Sequence, residues 1–230
     1  MGLDSSIKGW FGEFWGDFAH RLKLDPRTYV VMNDVTVRDS RGTAQIDHVI
    51  ISRFGIFVVE SKNMDGWIYG GEYESQWTQS LYGTRYRFQN PLIQNIRHIK
   101  ALNEYLRVEE STFHSVVMFW GESTFKSPMP DNVLDNGYTS FIKSRNEVLF
   151  SDSQVAGLID GIRRAALPRG RATRAAHIQD LDRRFGGDET CPQCGAALVV
   201  RTTKRGPKAG QQFLGCRGYP KCRFTHPLDD

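Results

Sequence analysis

The sequence predicts an α/β or α+β core followed by a small cysteine-anchored domain, and three observations carry that reading. Apolar residues recur at helical spacing in three segments, β-branched runs of strand length lie among them, and all four cysteines fall after residue 190. With 230 residues and 40% hydrophobic content, the chain is long enough for one domain of ordinary size and an appendage.

The elements follow in order. Residues 9–24 place Trp10, Phe14, Phe18, Arg21 and Leu22 near helical spacing, which predicts an amphipathic first helix ended by Pro26. Strands are expected at 29–32 and 34–38, in the runs Val49-Ile50-Ile51 and Ile56-Phe57-Val58-Val59, and at 66–69, with Gly, Asp, Asn and Ser as punctuation. Pro91 suits the first turn of a second helix that reaches about Leu106, with Leu92, Ile96, Ile99, Leu102 and Leu106 on one face. Segments 116–120 and 138–142 read as further strands. Ser151-Asp152-Ser153 caps a third helix built on Val155, Leu158, Ile159 and Ile162. Expected domains are 1–162, a basic helical connector at 163–187, and a cysteine-bearing unit at 188–230.

Charge is split along this boundary. Of the basic residues, 14 of 30 lie after residue 162 with only 6 of the 26 acids, leaving +8 there and −4 before it. A basic tail on a mildly acidic body suggests a polyanionic partner, since neutralised phosphates release counterions. No run of eighteen apolar residues exists, and the first residues lack the basic and apolar regions of a signal peptide. A cytoplasmic protein with no membrane partner is expected.

The two central runs carry Asp47, Glu60 and Lys62 where a sheet should be apolar. Glu60 and Lys62 are two apart and share a strand face with Val58. A two- or four-residue loop at Arg53-Phe54 makes paired positions sum to 107 and sets Asp47 across from Glu60, with Cβ atoms about 5 Å apart. A three-residue loop with Gly55 as the bulge shifts the register by one and separates them. Two acids so placed repel, and burial sharpens the repulsion. A divalent cation resolves it, and Mg²⁺ or Mn²⁺ suits paired carboxylates better than zinc. Lys62 on the same face would orient an attacking water and stabilise charge on a phosphoryl group. The structural alternative is an exposed Glu60–Lys62 pair on an edge strand, but the flanking runs are apolar on both faces, as in a central strand.

Asp47, then Glu60-x-Lys62, resembles the PD-(D/E)xK nuclease arrangement. The longer text Gln-Ile-Asp-His-Val-Ile-Ile, Gly-Ile-Phe-Val-Val-Glu-Ser-Lys-Asn and Gly-Trp-Ile-Tyr-Gly, with Trp77, Gln89-Asn90-Pro91 and Gln94, resembles the nuclease-related domain within that superfamily. The resemblance implies a restriction-endonuclease-like core, a mixed central sheet flanked by helices, a divalent metal at Asp47 and Glu60, and Lys62 as catalytic lysine. It also implies an acid on the first helix: Glu13 corresponds best and Asp17, one turn on, competes. Ser61 stands where the family usually has Thr. Gln94 is a possible accessory at the start of the second helix, with a surface glutamine as the alternative; His48 faces away from Asp47 as a core or second-layer histidine, and His98, on the Gln94 face, is uncommitted.

Cys191-Pro-Gln-Cys194 and Cys216-Arg-Gly-Tyr-Pro-Lys-Cys222 have the spacing of a structural Cys₄ zinc site. With Phe213-Leu-Gly and Tyr219-Pro-Lys around the second pair, the segment resembles the zinc ribbon that ends bacterial type IA topoisomerases, a family that binds single-stranded DNA. Lys204, Arg205, Lys208, Arg217, Lys221 and Arg223 alternate with Phe213, Tyr219 and Phe224, which suits phosphate contact and base stacking, although at least one of these aromatics is expected in the small core. The sequence therefore reads as a metal-dependent DNA nuclease, a hydrolase with a structural zinc. The rival readings are a catalytically weak nucleic-acid-binding module, or an adaptor whose ribbon docks on a protein. DNA versus RNA, single versus double strand and oligomeric state are not encoded in any motif.

Overall fold

A computed structural model describes residues 22–40, 42–185, 191, 198–203, 212–220 and 222–227. The expected first helix, with Glu13 and Asp17, lies outside the described residues, as do Cys194, Lys204, Arg205, Lys208 and Lys221. The chain divides into two units, one ending at Arg169 and the other beginning at Gly170.

In the first unit β1 (Val30–Asp39), β2 (Gly42–Ser52) and β3 (Gly55–Lys62) form an antiparallel meander. The chain then makes a second, smaller sheet from β4 (Gly66–Tyr69), β5 (Gln76–Leu81) and β6 (Thr84–Gln89) before entering α1 (Pro91–Leu106). After α1, β7 (Phe113–Phe119) returns parallel to β3, β8 (Ser123–Phe125) joins β4, and β9 (Val133–Leu134) joins β7. The large sheet has the order β1-β2-β3-β7-β9 and is mixed; the small one has the order β6-β5-β4-β8. Helices α2 (Tyr138–Ser144) and α3 (Asp152–Ala165) complete the unit. The second unit holds α4 (Arg171–Phe185) and a three-stranded antiparallel sheet of β10 (Leu198–Thr202), β11 (Gln212–Cys216) and β12 (Thr225–Pro227).

The central strands are buried on both faces, which explains their unbroken apolar text. One face of the large sheet packs Val35, Val37, Ile46, Val49, Ile51 and Val58 against α1 and α3. The other packs Ile50, Phe57, Val59, Val116 and Met118 against Leu22, Leu24 and Ile142 of α2. Fully burying each such side chain contributes about 1.5–3 kcal/mol. Ser151 caps α3 through a reciprocal pair with Gln154, as its sequence suggested.

Four expectations need correction. Segments 29–32 and 34–38 belong to one strand: the pairs Asn33↔His48 and Val35↔Ile46 keep the same register on either side of Asp34, whose φ of 50° interrupts the ladder for one pair without ending the strand. Segment 138–142 is helical, because Ile142 is needed on the sheet face and tertiary burial overrides the strand propensity of Tyr, Phe and Ile. Strands β5 and β6 have no counterpart among the expected elements. The buried face of α1 runs through Leu92, Asn95, His98 and Leu102, whereas Ile96 is 50% exposed. A helix face is set by what it meets, and here polar residues meet the sheet.

The two sheets share a core in which fully buried Trp77 stacks on Phe119 at 6.3 Å and meets Phe88 edge-on. Gly70 lies against this indole so closely that an added Cβ would sit 2.3 Å from the ring. The Gly70→Ala variant is therefore expected to lose about 1–3 kcal/mol in chemical denaturation, the usual cost of overpacking.

Candidate functional site

The Arg53-Phe54 turn closes with the two-residue loop. Ser52 pairs with Gly55 and each further pair, to His48↔Val59, sums to 107. The Ser52 hydroxyl steadies the turn by accepting from the Phe54 amide at 3.1 Å. The ladder ends at His48↔Val59, and Asp47 and Glu60 are the next residues on the two strands. The Asp47 carboxylate is half-buried, and its Oδ2 accepts from the Ser61 amide at 2.7 Å, which fixes its orientation beside β3.

Glu60 is 2% exposed. Its Oε1 lies 2.9 Å from Lys62 Nζ, and Lys62 Nζ also donates to Gln94 Oε1 at 3.4 Å. His98 Nδ1 is 3.5 Å from Glu60 Oε2. Gln94 and His98 are four apart on α1, one turn of the same face, which places both over the end of β3. The helix is pinned there by buried Asn95, whose Nδ2 donates to Val58 O at 2.7 Å and Ser115 Oγ at 2.9 Å. Asn90 fixes its start: Oδ1 accepts from Leu92 N, and Nδ2 donates to the carbonyls of Gly71, Glu72 and Glu74. The sequence text Gln89-Asn90-Pro91 is thus a structural joint between β6 and α1.

Electrostatics match this geometry. Burial, then the Glu60 charge, pushes the Asp47 carboxyl up to about 7, against the opposing pull of the Ser61 amide and Lys62. Burial also raises Glu60, opposed by Lys62 and by hydrogen bonds from Lys62 and Gln94. Glu60 Oε2 is buried without a hydrogen-bond donor. Two oxygen-donor carboxylates whose charges oppose each other, one with an unsatisfied buried oxygen, fit a hard divalent cation. His48 points elsewhere, with Nδ1 2.8 Å from Asn33 Oδ1, and burial lowers it to about 4.

The structure therefore brings Asp47, Glu60, Lys62 and Gln94 together and adds His98 and Asn95. The spacing of His98 from Gln94 was visible in the sequence; its approach to Glu60 was not, since it depends on how α1 is rotated on the sheet.

In the second unit the Sγ atoms of Cys191, Cys216 and Cys222 lie within 4.8 Å of one another, Cys191 and Cys222 at 3.5 Å. Thiolates about 2.3 Å from a tetrahedral zinc stand roughly 3.8 Å apart, so the cluster fits that ion. The Gly218 amide donates to Cys216 Sγ at 3.2 Å. Of the expected nucleic-acid contacts, Arg217 and Arg223 are exposed, Tyr219 is 61% exposed and Phe213 is half-buried, while Phe224 is in the core.

The nuclease-related domain family matches residues 8–120, and an uncharacterized protein of Bacillus anthracis is 34% identical over 187 residues, covering 78% of this chain and 87% of its own length. The chain belongs to the nuclease-related domain family. Behind the nuclease-related domain, residues 188–230 match the topoisomerase DNA binding C4 zinc finger. Over that segment the chain is 51% identical to the uncharacterized protein YrdD of Escherichia coli across 41 residues, 18% of this chain and 20% of that protein. It is 55% identical across 38 residues to DNA topoisomerase 1 of Archaeoglobus fulgidus, 16% of this chain and 5% of that enzyme. No solved structure matches the chain. Among the described residues of this nuclease-related domain protein, no helix is long and apolar enough to cross a membrane.

Proposed function

We propose that the protein is a divalent-metal-dependent nuclease that hydrolyses DNA phosphodiester bonds, with its zinc ribbon binding DNA, single-stranded by preference. The observation that carries this reading is the meeting of Asp47, held through Oδ2 by the Ser61 amide and raised by the Glu60 charge, with Lys62 Nζ held between Glu60 Oε1 and Gln94 Oε1. Asp47 and Glu60 would hold Mg²⁺ or Mn²⁺, joined by Glu13 or Asp17 in the expected first helix. The bound ion supplies Lewis acidity toward the phosphate and a lowered pKa for water. Glu60 and Gln94 orient the Lys62 ammonium, which offers fixed positive charge to the oxyanion that grows during in-line attack and a hydrogen bond to the attacking water. His98, against the second oxygen of Glu60, positions that carboxylate.

The ribbon acts as a tether that raises the local concentration of substrate through Arg217, Arg223 and the exposed ring of Tyr219, together with Lys204, Arg205, Lys208 and Lys221. Purified protein is expected to contain one zinc per chain by elemental analysis; a zinc-free protein with full DNA affinity would contradict this role.

The test of function is incubation with Mg²⁺ or Mn²⁺ against circular and linear, single- and double-stranded DNA and RNA. Metal-dependent cleavage of DNA is expected. Absence of cleavage from every substrate, with retained DNA binding, would favour the adaptor reading.

A further inference from the structure

The small sheet turns one face into the core and the other to solvent. Ile68, Trp77 and Phe88 point inward; by alternation, Trp67 and Tyr69 of β4 point outward. Register extends that outer face. Trp67 pairs with Ser80 and Tyr69 with Thr78 on β5, and these pair with Arg85 and Arg87 on β6. On the other side Trp67 pairs with Thr124 of β8, and Lys126 continues that edge through its amide bond to Ile68 O.

The chemistry of the face is specific. Trp67 is 52% exposed, and both arginines are exposed. Lys126 Nζ stands 4.8 Å from the Trp67 ring centroid and the Arg85 guanidinium 6.0 Å from that of Tyr69. Two aromatic planes are thus flanked by cations on both sides, with only short hydroxyl side chains between them. None of the outward strand positions on β4, β5, β6 or β8 is acidic, although residues 1–162 carry net negative charge. Tyr82, 97% exposed, sits at φ 48° in the β5–β6 turn beside Gly83 at φ 79°. A bulky residue in that left-handed region is strained, and no burial of the ring offsets it. The turn lies two residues beyond Ser80, at the Trp67 end of the face.

We infer that this outer face is a stacking platform for single-stranded nucleic acid, with two successive bases on Trp67 and Tyr69 and the phosphates along Arg85, Arg87 and Lys126. Base stacking on aromatics inside a basic track is how proteins hold single strands without reading sequence. Three strands of the small sheet, β4 to β6, lie in the chain between β3, which ends at Lys62, and α1, which carries Gln94. Trp67 is five residues from Lys62, so their Cα atoms are at most about 18 Å apart. A nucleic-acid strand held on Trp67 is therefore within about 18 Å of the Lys62 Cα. This deepens the proposed function by naming the form of the substrate held by the nuclease-related domain itself.

The test measures binding without cleavage. Full-length Lys62→Ala protein, with no added Mg²⁺, is titrated with a fluorescent single-stranded oligonucleotide, and an oligonucleotide carrying 5-iodouracil is photocrosslinked and mapped by mass spectrometry. Crosslinks at Trp67 or Tyr69 are expected, and Trp67→Ala and Tyr69→Ala in that background should each weaken binding about tenfold with unchanged melting. Replacing Arg85, Arg87 and Lys126 by alanine should flatten the dependence of log affinity on log salt by about 0.7 for each phosphate that is no longer neutralised. Crosslinks confined to residues 188–230 with unchanged affinity, or competition by a duplex as strong as by the single strand, would overturn the proposal. A protein that never cleaves still tests it.

Discussion

Lys62→Ala is expected to lower Mg²⁺- or Mn²⁺-dependent DNA cleavage by on the order of 10²–10³-fold, the usual loss when a positioned charge-stabilising group is removed. The side chain is 17% exposed and touches Glu60 at 2.9 Å, so the variant also leaves a buried carboxylate without its cation. Glu60 is already raised by burial, and without the opposing Lys62 charge it is raised further. Glu60→Gln separates the effects, since it keeps the shape and removes one carboxylate oxygen of the proposed metal site. Both variants are expected to lose turnover while retaining affinity for DNA. Equal nicking rates for wild type and both variants, with contaminating nucleases excluded, would reject the assigned site.

The second large effect is on stability. Asp47 titrates near 7 in the folded chain, above its ordinary 3.8, so the folded state holds the proton more tightly than the unfolded one. The stability that proton confers is fully present below about pH 4 and is lost as pH rises through 7. At pH 8 the ionised Asp47 costs up to about 4 kcal/mol. Asp47→Asn removes that charge and keeps an oxygen for the Ser61 amide. It is expected to raise the melting temperature at pH 8 by roughly 5–10 °C, and to change it little at pH 4. Mg²⁺ or Mn²⁺ at a hundred times its dissociation constant should stabilise the wild type by about 2.7 kcal/mol and leave the variant unmoved. A variant less stable than wild type at pH 8 would show that the two carboxylates do not oppose each other.

Much of this site was legible in the sequence because strand periodicity is strict. Once the turn at Arg53-Phe54 closes over two residues, the register to His48↔Val59 follows, and it leaves Asp47 and Glu60 as the next residues on the two strands. The start of α1 was legible from Pro91, whose ring suits only the first turn. What was not legible depends on tertiary contacts. His98 and Asn95 look like surface residues of an amphipathic helix until α1 is rolled so that polar groups meet the sheet and Ile96 faces solvent. Segment 138–144 has strand-forming residues, yet one buried position, Ile142, makes a short helix the better cover. Strands β5 and β6 alternate polar residues with single inward rings, buried Trp77 and half-buried Phe88, a weak signal for a sheet with one wet face. That wet face carries the aromatic and basic residues of the proposed platform.

The proposed hydrolysis requires that Asp47 in the middle of β2 and Glu60 near the end of β3 hold a dication. Crystals of the protein soaked in Mn²⁺ and measured at the manganese absorption edge test this directly. The predicted result is an anomalous peak bridging the carboxylates of Asp47 and Glu60 that is absent from Asp47→Asn crystals. Manganese density only elsewhere, with Glu60 still closed on Lys62, would contradict it.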